Sequence, residues 1–284
     1  MGAPMVENLA KHQSVYAFDS DGQKIQHLRS RGVQPLDVGN AKATIDVLIL
    51  SLPNGDVASS VLFDNEEHAV LSTLKPGAVV IDTSTAEFAK TIEISNELHN
   101  RGFEFIDAPV SGMQARAEDG TLTMMCGGAE ETVNRLRAPL SSMANNILYM
   151  GSVGSGQLAK LVNQLLFNIN AAALAEILPL SAKLGLNPEQ MGHIINSGTG
   201  RSFASEFFVP RILNNDFSQG YPMAAAYKDL VNAAGISAKN EIPTPVLSAA
   251  TATYQQALNQ GHGSKDKGAM ILVFEKLLGT QFRR

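Results

Sequence analysis

Lys160 stands in the segment Gly154-Ser155-Gly156-Gln157-Leu158-Ala159-Lys160-Leu161-Val162-Asn163-Gln164. Two glycines break the chain, and a long apolar run follows with a lysine and two amides in its opening turns. In a helix, positions 160 and 164 lie four apart and share one face. An ammonium among apolar neighbours is costly to keep charged, and burial lowers a lysine pKa towards neutrality. Such a lysine can pass a proton at physiological pH. The plainer reading is a lysine lying along a surface with its ammonium in water, and the segment alone favours it.

The elements that must position this lysine fall into two halves. In the first, short apolar runs alternate with helical stretches. Ser14–Asp19, Val47–Leu52, Ala78–Asp82, Phe103–Asp107, Thr121–Cys126 and Asn146–Met150 read as strands, with helices such as Gly22–Arg31 and Ala86–Asn100 between them. Apolar strands separated by helices indicate a parallel sheet covered on both faces. Several of these strands end in Asp or Pro, as suits a doubly wound sheet whose C-terminal strand ends line a ligand crevice. Beyond Met150 no strand is expected. Leu158–Leu184 reads as one long apolar helix closed by Gly185, and Asn187-Pro188 starts the next. The expected architecture is an α/β domain over residues 1–152 and an all-α domain over 153–284.

Composition removes several classes of function. The 284 residues carry a net charge of −5 with no basic cluster, which argues against a nucleic-acid surface. One cysteine, Cys126, excludes an internal disulfide framework and points to a reducing, cytoplasmic setting. The six histidines are scattered without metal-ligand spacing, so no metal site is expected. No run is read as long and apolar enough to cross a membrane.

The opening Met1-Gly2-Ala3-Pro4-Met5 leads straight into a helix. A dinucleotide-binding unit places a strand and a Gly-x-Gly-x-x-Gly loop there. Gly2 would be the third glycine of that loop. Asp19, at the end of the next strand, lies near the distance at which an acid bonds the ribose of NAD. On turn statistics alone, Asp19 is a turn residue.

Asp107-Ala108-Pro109-Val110-Ser111-Gly112 adds specificity. Taken in order with Met1–Met5, Leu52-Pro53, Gly154-x-Gly156-x-x-x-Lys160, Lys228-Asp229-Leu230 and Gly261-x-Gly263-x-x-Asp266, it resembles the β-hydroxyacid dehydrogenase family. The resemblance implies a Rossmann-type first domain, here without its first strand and first two loop glycines, and a helical second domain. It implies Lys160 as general acid/base, Ser111 and the Gly112 amide as holders of a substrate carboxylate, and Gln164 as a further substrate contact. It makes Met1, Gly2, Asp19, Leu52, Pro53, Thr85 and Lys228 cofactor contacts. Lys160 and Gln164 are expected to open onto Ser111 and Gly112 across a cleft. The implied substrate is a small β-hydroxyacid or its semialdehyde, and the implied assembly is a homodimer or homotetramer. Ser20 follows Asp19 where relatives using NADP tend to carry arginine, so NAD is expected over NADP. Relatives that reduce imines do not normally keep the lysine.

Departures from the family pattern qualify that implication. Gln164 stands where the family usually has asparagine, which points towards longer sugar acids such as threonate. Met113 replaces the second glycine of the usual Ser-Gly-Gly. The absent strand is central in the usual order, so its two neighbours are expected to lose a ladder partner. A start assigned too late or a real truncation would account for it. The alternative is a non-catalytic homologue unable to hold the dinucleotide.

Overall fold

The computed structural model describes residues 1–38, 44–64 and 70–284. They divide into two compact units, Met1–Lys160 and Leu161–Arg284.

The first unit runs α1 (Gly2–Ala10), β1 (Tyr16–Ala17), α2 (Gly22–Arg29), β2 (Gln34–Pro35), β3 (Ile45–Leu50), α3 (Gly55–Phe63), β4 (Leu74–Asp82), α4 (Phe88–Asn100), β5 (Glu104–Asp107), β6 (Val110–Ser111), α5 (Met113–Glu118), β7 (Leu122–Gly127), α6 (Glu130–Leu140) and β8 (Ala144–Gly151). The main sheet has the order β3-β4-β5-β7-β6, with β8 also on β7. Period-two alternation covers both of its faces. Val79, Ile81, Ile106 and Met124 pack on one side with Met5 of α1 and Val133 of α6. Val80, Leu50 and Phe105 pack on the other with Ile94 and Leu98 of α4.

The all-parallel expectation is corrected to a mixed sheet. β3, β4 and β5 are mutually parallel and β7 is parallel to β8, but β7 runs antiparallel to β5 and β6. In the chain, β6 and the short α5 connect β5 to β7, and this connection returns the chain in the opposite direction. β6 falls where the sequence reads as a plain turn, because two residues carry no alternation.

β1 and β2 form a separate parallel pair. Among the described residues β1 pairs with β2 and β3 pairs with β4, each on one side. α1 serves both sheets. Met5 packs in the main core, while Ala3, Val6 and Ala10 pack with Ala17, Leu28 and Val33.

α7 (Ser155–Lys183) begins in the first unit and continues into the second. The units divide after its first turns, which bond to the sheet through Asp107. The second unit adds α8 (Pro188–Ser197), α9 (Phe203–Leu213), α10 (Met223–Lys239), α11 (Pro245–Asn259), a 3-10 turn at Lys267–Met270 and α12 (Ile271–Leu278). Ala171, Ala172, Ala175 and Leu178 of α7 are buried there with Phe208, Leu230 and Tyr254.

Two expectations about α7 change. By length and composition it is apolar enough to cross a membrane, contrary to the reading of the sequence, although core helices of soluble proteins meet the same test. A helix with so apolar a sequence is expected to be buried, yet Leu158, Val162, Leu166, Ile177 and Leu180 of α7 are exposed within one chain.

Candidate active site

The start of α7 is fastened to the sheet by one carboxylate. Asp107, fully buried at the end of β5, accepts from the Gly154 amide at 2.7 Å and the Gln157 amide at 2.9 Å. An acid at a helix N-terminus satisfies orphan N–H groups and complements the helix dipole. The glycine pair makes this approach possible. A Cβ at Gly156 would collide with the Met125 carbonyl and sit 2.8 Å from Asp107 Oδ2. Lys160 follows Gln157 by three residues and is itself buried.

Gln157 carries the connection to the strand ends. Its carboxamide donates to Ser84 O at 2.8 Å and accepts from the Ala86 amide at 3.0 Å, bracketing the exposed Thr85. Ser84 Oγ accepts from the Leu52 amide at 2.8 Å. Leu52, Thr85 and the first turn of α7 thus form one hydrogen-bonded surface at the C-terminal ends of β3 and β4. Gly2 borders it, since a Cβ there would lie 3.4 Å from Ser51.

Two carboxylates sit side by side beneath this surface, Asp82 and Asp107 being register partners. Burial pushes Asp107 up to about 6; the Gly154 and Gln157 amides oppose the rise and the Asp82 charge adds to it. Burial also raises Asp82, whose Oδ2 has no hydrogen-bond partner. Burial lifts the Cys126 thiol to about 11, too high for a reactive thiolate at neutral pH.

Ser111 lies in β6 opposite Thr123. Gly112 follows at φ 138°, and a Cβ there would come 2.8 Å from Arg116 Cβ. Met113 then takes φ 61°, a left-handed conformation that favours glycine. The replacement noted in the sequence therefore falls where a side chain is strained.

Asp19, Gln164, Lys228, Pro53 and Met1 are the other expected site residues. Asp19 is beside the small sheet, accepts from the amide of Asp21 at 2.9 Å and has Lys24 Nζ at 3.4 Å. Gln164 is on α7 beyond the unit boundary and is partly exposed, while Lys228 is exposed on α10. Pro53 is exposed after β3, and Met1 caps α1 without a side-chain bond. Reasoning from sequence missed Asp107, Gln157 and Ser84 as working parts. Asp-Ala-Pro after a strand, paired with a distant Gly-x-Gly, was the available signal. Among the described residues no cluster of three or more His, Cys, Asp or Glu could hold a metal.

The strand-end surface suits a nicotinamide dinucleotide. It is lined by C-terminal strand ends and bordered by the N-terminus of α1, where Gly2 leaves room for close approach. Fold and site together define a dinucleotide-dependent oxidoreductase with a sheet unit and a helical unit.

Comparison with known proteins agrees. Residues 1–151 match the family described as the NAD binding domain of 6-phosphogluconate dehydrogenase. Residues 154–274 match the family described as NAD-binding of NADP-dependent 3-hydroxyisobutyrate dehydrogenase. The chain is 36% identical to 2-(hydroxymethyl)glutarate dehydrogenase of Eubacterium barkeri, over 99% of this chain and 93% of that protein. The crystal structure of 3-hydroxyisobutyrate dehydrogenase from Salmonella typhimurium superposes with a TM-score of 0.86 at 27% identity, covering 96% of each chain. The Mycobacterium tuberculosis 3-hydroxyisobutyrate dehydrogenase, solved with L-serine, gives 0.84 at 32% identity, over 96% of this chain and 94% of that one. The chain belongs to the β-hydroxyacid dehydrogenase family.

Proposed function

We propose that this chain interconverts a small β-hydroxyacid and its semialdehyde, with Lys160 as the general acid/base. The dinucleotide supplies the hydride acceptor or donor. Lys160 takes the hydroxyl proton in the oxidative direction and returns it to the carbonyl oxygen in the reductive one. Ser111 Oγ and the Gly112 amide hold the carboxylate, a hydroxyl and an unhindered N–H being suited to one anionic group. Gln164 hydrogen-bonds the substrate. The observation that carries this reading is a buried lysine five residues into a helix whose start a buried carboxylate fixes to the strand ends.

Relatives named for 2-(hydroxymethyl)glutarate and 3-hydroxyisobutyrate support an acid with its hydroxyl on the carbon β to a carboxylate. A threonate-type sugar acid is the second reading, favoured by Gln164. NAD is the proposed cofactor over NADP, because the Asp19 carboxylate repels a 2′-phosphate. Gly2, Leu52, Pro53, Thr85 and Lys228 are its other proposed contacts, with Met1 at the same helix start. The exposed apolar residues of α7 support a homodimer or homotetramer that covers them. Light scattering tests the assembly.

The experiment for the activity is a panel of hydroxyisobutyrate, glycerate, threonate and their semialdehydes with each dinucleotide. Turnover of one or more acids, faster in kcat/KM with NAD, is expected. Activity confined to neutral alcohols overturns the carboxylate roles of Ser111 and Gly112.

A further inference from the structure

Residues 83–87 join β4 to α4, and part of their backbone must be satisfied from outside the connection. The Ser84 amide donates to Asp82 Oδ1 at 2.9 Å. The Ser84 carbonyl and the Ala86 amide both go to the Gln157 carboxamide, at 2.8 and 3.0 Å. Gln157 is 3% exposed, and its own amide is held by Asp107 Oδ2 at 2.9 Å, so the side chain leaves a backbone that is itself fixed. A second contact joins the same parts, since a Cβ at Gly154 would overlap the Phe88 ring at the start of α4. Thr85, between the two carboxamide bonds, is exposed. Lys160 stands at i+3 from Gln157, on the same face of α7. All of these residues belong to the first unit. Filling the space alone would not need a carboxamide, whose burial is costly unless both ends are bonded.

We propose that Gln157 is a positioning residue for the cofactor, holding the turn at Thr85 ready-formed against the helix start that carries Lys160. This rests on the reading of Thr85 as a dinucleotide contact. A turn that is already ordered need not be ordered by its ligand, so the dinucleotide keeps the affinity that ordering would consume. One side chain also links the turn to the lysine's helix face, so the two move together.

The test is fluorescence titration of the full chain with NADH and NADPH, the tighter of the two being followed in the variants. Gln157→Leu removes both bonds and is expected to weaken binding about tenfold, the scale of fixing one loop residue on binding. Gln157→Glu gives a sharper signature. A protonated carboxyl donates to the Ser84 carbonyl and accepts from the Ala86 amide as the carboxamide does, whereas a carboxylate has nothing to donate. Burial and the neighbouring Asp107 and Asp82 raise the pKa of an acid placed there, with Lys160 on the same helix opposing them. Relative to wild type, which cancels the titration of Asp107, this variant should bind normally at pH 5 and progressively more weakly towards pH 8. If Gln157→Leu fails to fold, this pH profile decides. Affinity equal to wild type in both variants, or a ratio for Gln157→Glu that does not change with pH, makes Gln157 a packing residue and overturns the proposal. A wild-type protein that binds neither dinucleotide overturns the cofactor reading and this proposal with it, whereas tight wild-type binding with unaffected variants overturns the proposal alone.

Discussion

Asp19 and Asp107 look alike in the sequence, each closing an apolar strand, yet their surroundings differ. Asp107 is fully buried and spends its two oxygens on backbone amides about 47 to 50 residues away. Asp19 accepts from an amide two residues on and has a lysine nearby in water. The difference lies in what approaches the strand end. At Asp107 the glycine pair lets a helix start come within hydrogen-bond distance, while at Asp19 the chain only turns back on itself. A strand-terminal acid becomes an anchor when a distant segment can reach it without side-chain bulk.

The largest effect should come from the helix that Asp107 anchors. Lys160→Ala is expected to lower kcat by about 10²–10⁴-fold, the usual loss for a general acid/base. NADH binding, followed by fluorescence, should be nearly unchanged. Lys160→Arg should not restore activity, because a guanidinium stays protonated. If Lys160→Ala keeps most of its kcat, the proton passes through another group.

Removing the anchor itself should cost less but act on both stability and rate. Asp107→Ala leaves two buried amides without an acceptor, at about 1–3 kcal/mol for each unsatisfied group. Urea unfolding measures this, and Asp19→Ala in the same assay should stay within about 0.5 kcal/mol as a surface change. The anchor also carries a pH signature. The folded pKa of Asp107 is raised from 3.8 to about 6, so between those values the native state holds more protons than the unfolded one. Its contribution to stability therefore falls as pH rises through that window and is constant above it. Asp107→Asn should weaken that fall, and Asp82 and Asp266, shifted the same way, should leave part of it. An identical pH dependence of unfolding in variant and wild type would disprove the assignment.

Asp19 should matter through the cofactor alone. Asp19→Ala is expected to raise KM for NAD several-fold and narrow the preference over NADP, with little change in kcat. Unaltered cofactor kinetics would make Asp19 the turn residue that its bond to the Asp21 amide already describes.

What is legible in the sequence follows the range of each interaction. The main strands and α7 are readable because continuous apolar runs and helical periodicity are local signals. β2 and β6, two residues each, carry no such signal. The reversal of β7 depends on pairing with β5 and β6, which no local pattern encodes. Lys160 stands out through its type and setting. Asp107 and Gln157 do not, because their roles exist only once strand end and helix start meet.

The smallest effect is expected in the segments that leave the two strand ends. After Asp107 the chain passes through Gly112 at φ 138° and Met113 at φ 61°, whereas Ser20, Asp21 and Gly22 after Asp19 all avoid positive φ. A left-handed conformation costs a side-chain-bearing residue about 1–2 kcal/mol. Glycine removes that cost but gains freedom in the unfolded chain, which takes back about 0.5–1 kcal/mol. Met113 is 36% exposed, so its side chain contributes little packing that the change would lose. Met113→Gly should therefore stabilise the protein by up to about 1 kcal/mol in urea unfolding. Met113→Ala removes the same side chain but keeps Cβ and its strain, and should give no such gain. If both variants shift stability alike, the side chain and not the backbone sets the energy of this turn. The anchored strand end would then differ from Asp19 in its hydrogen bonds alone.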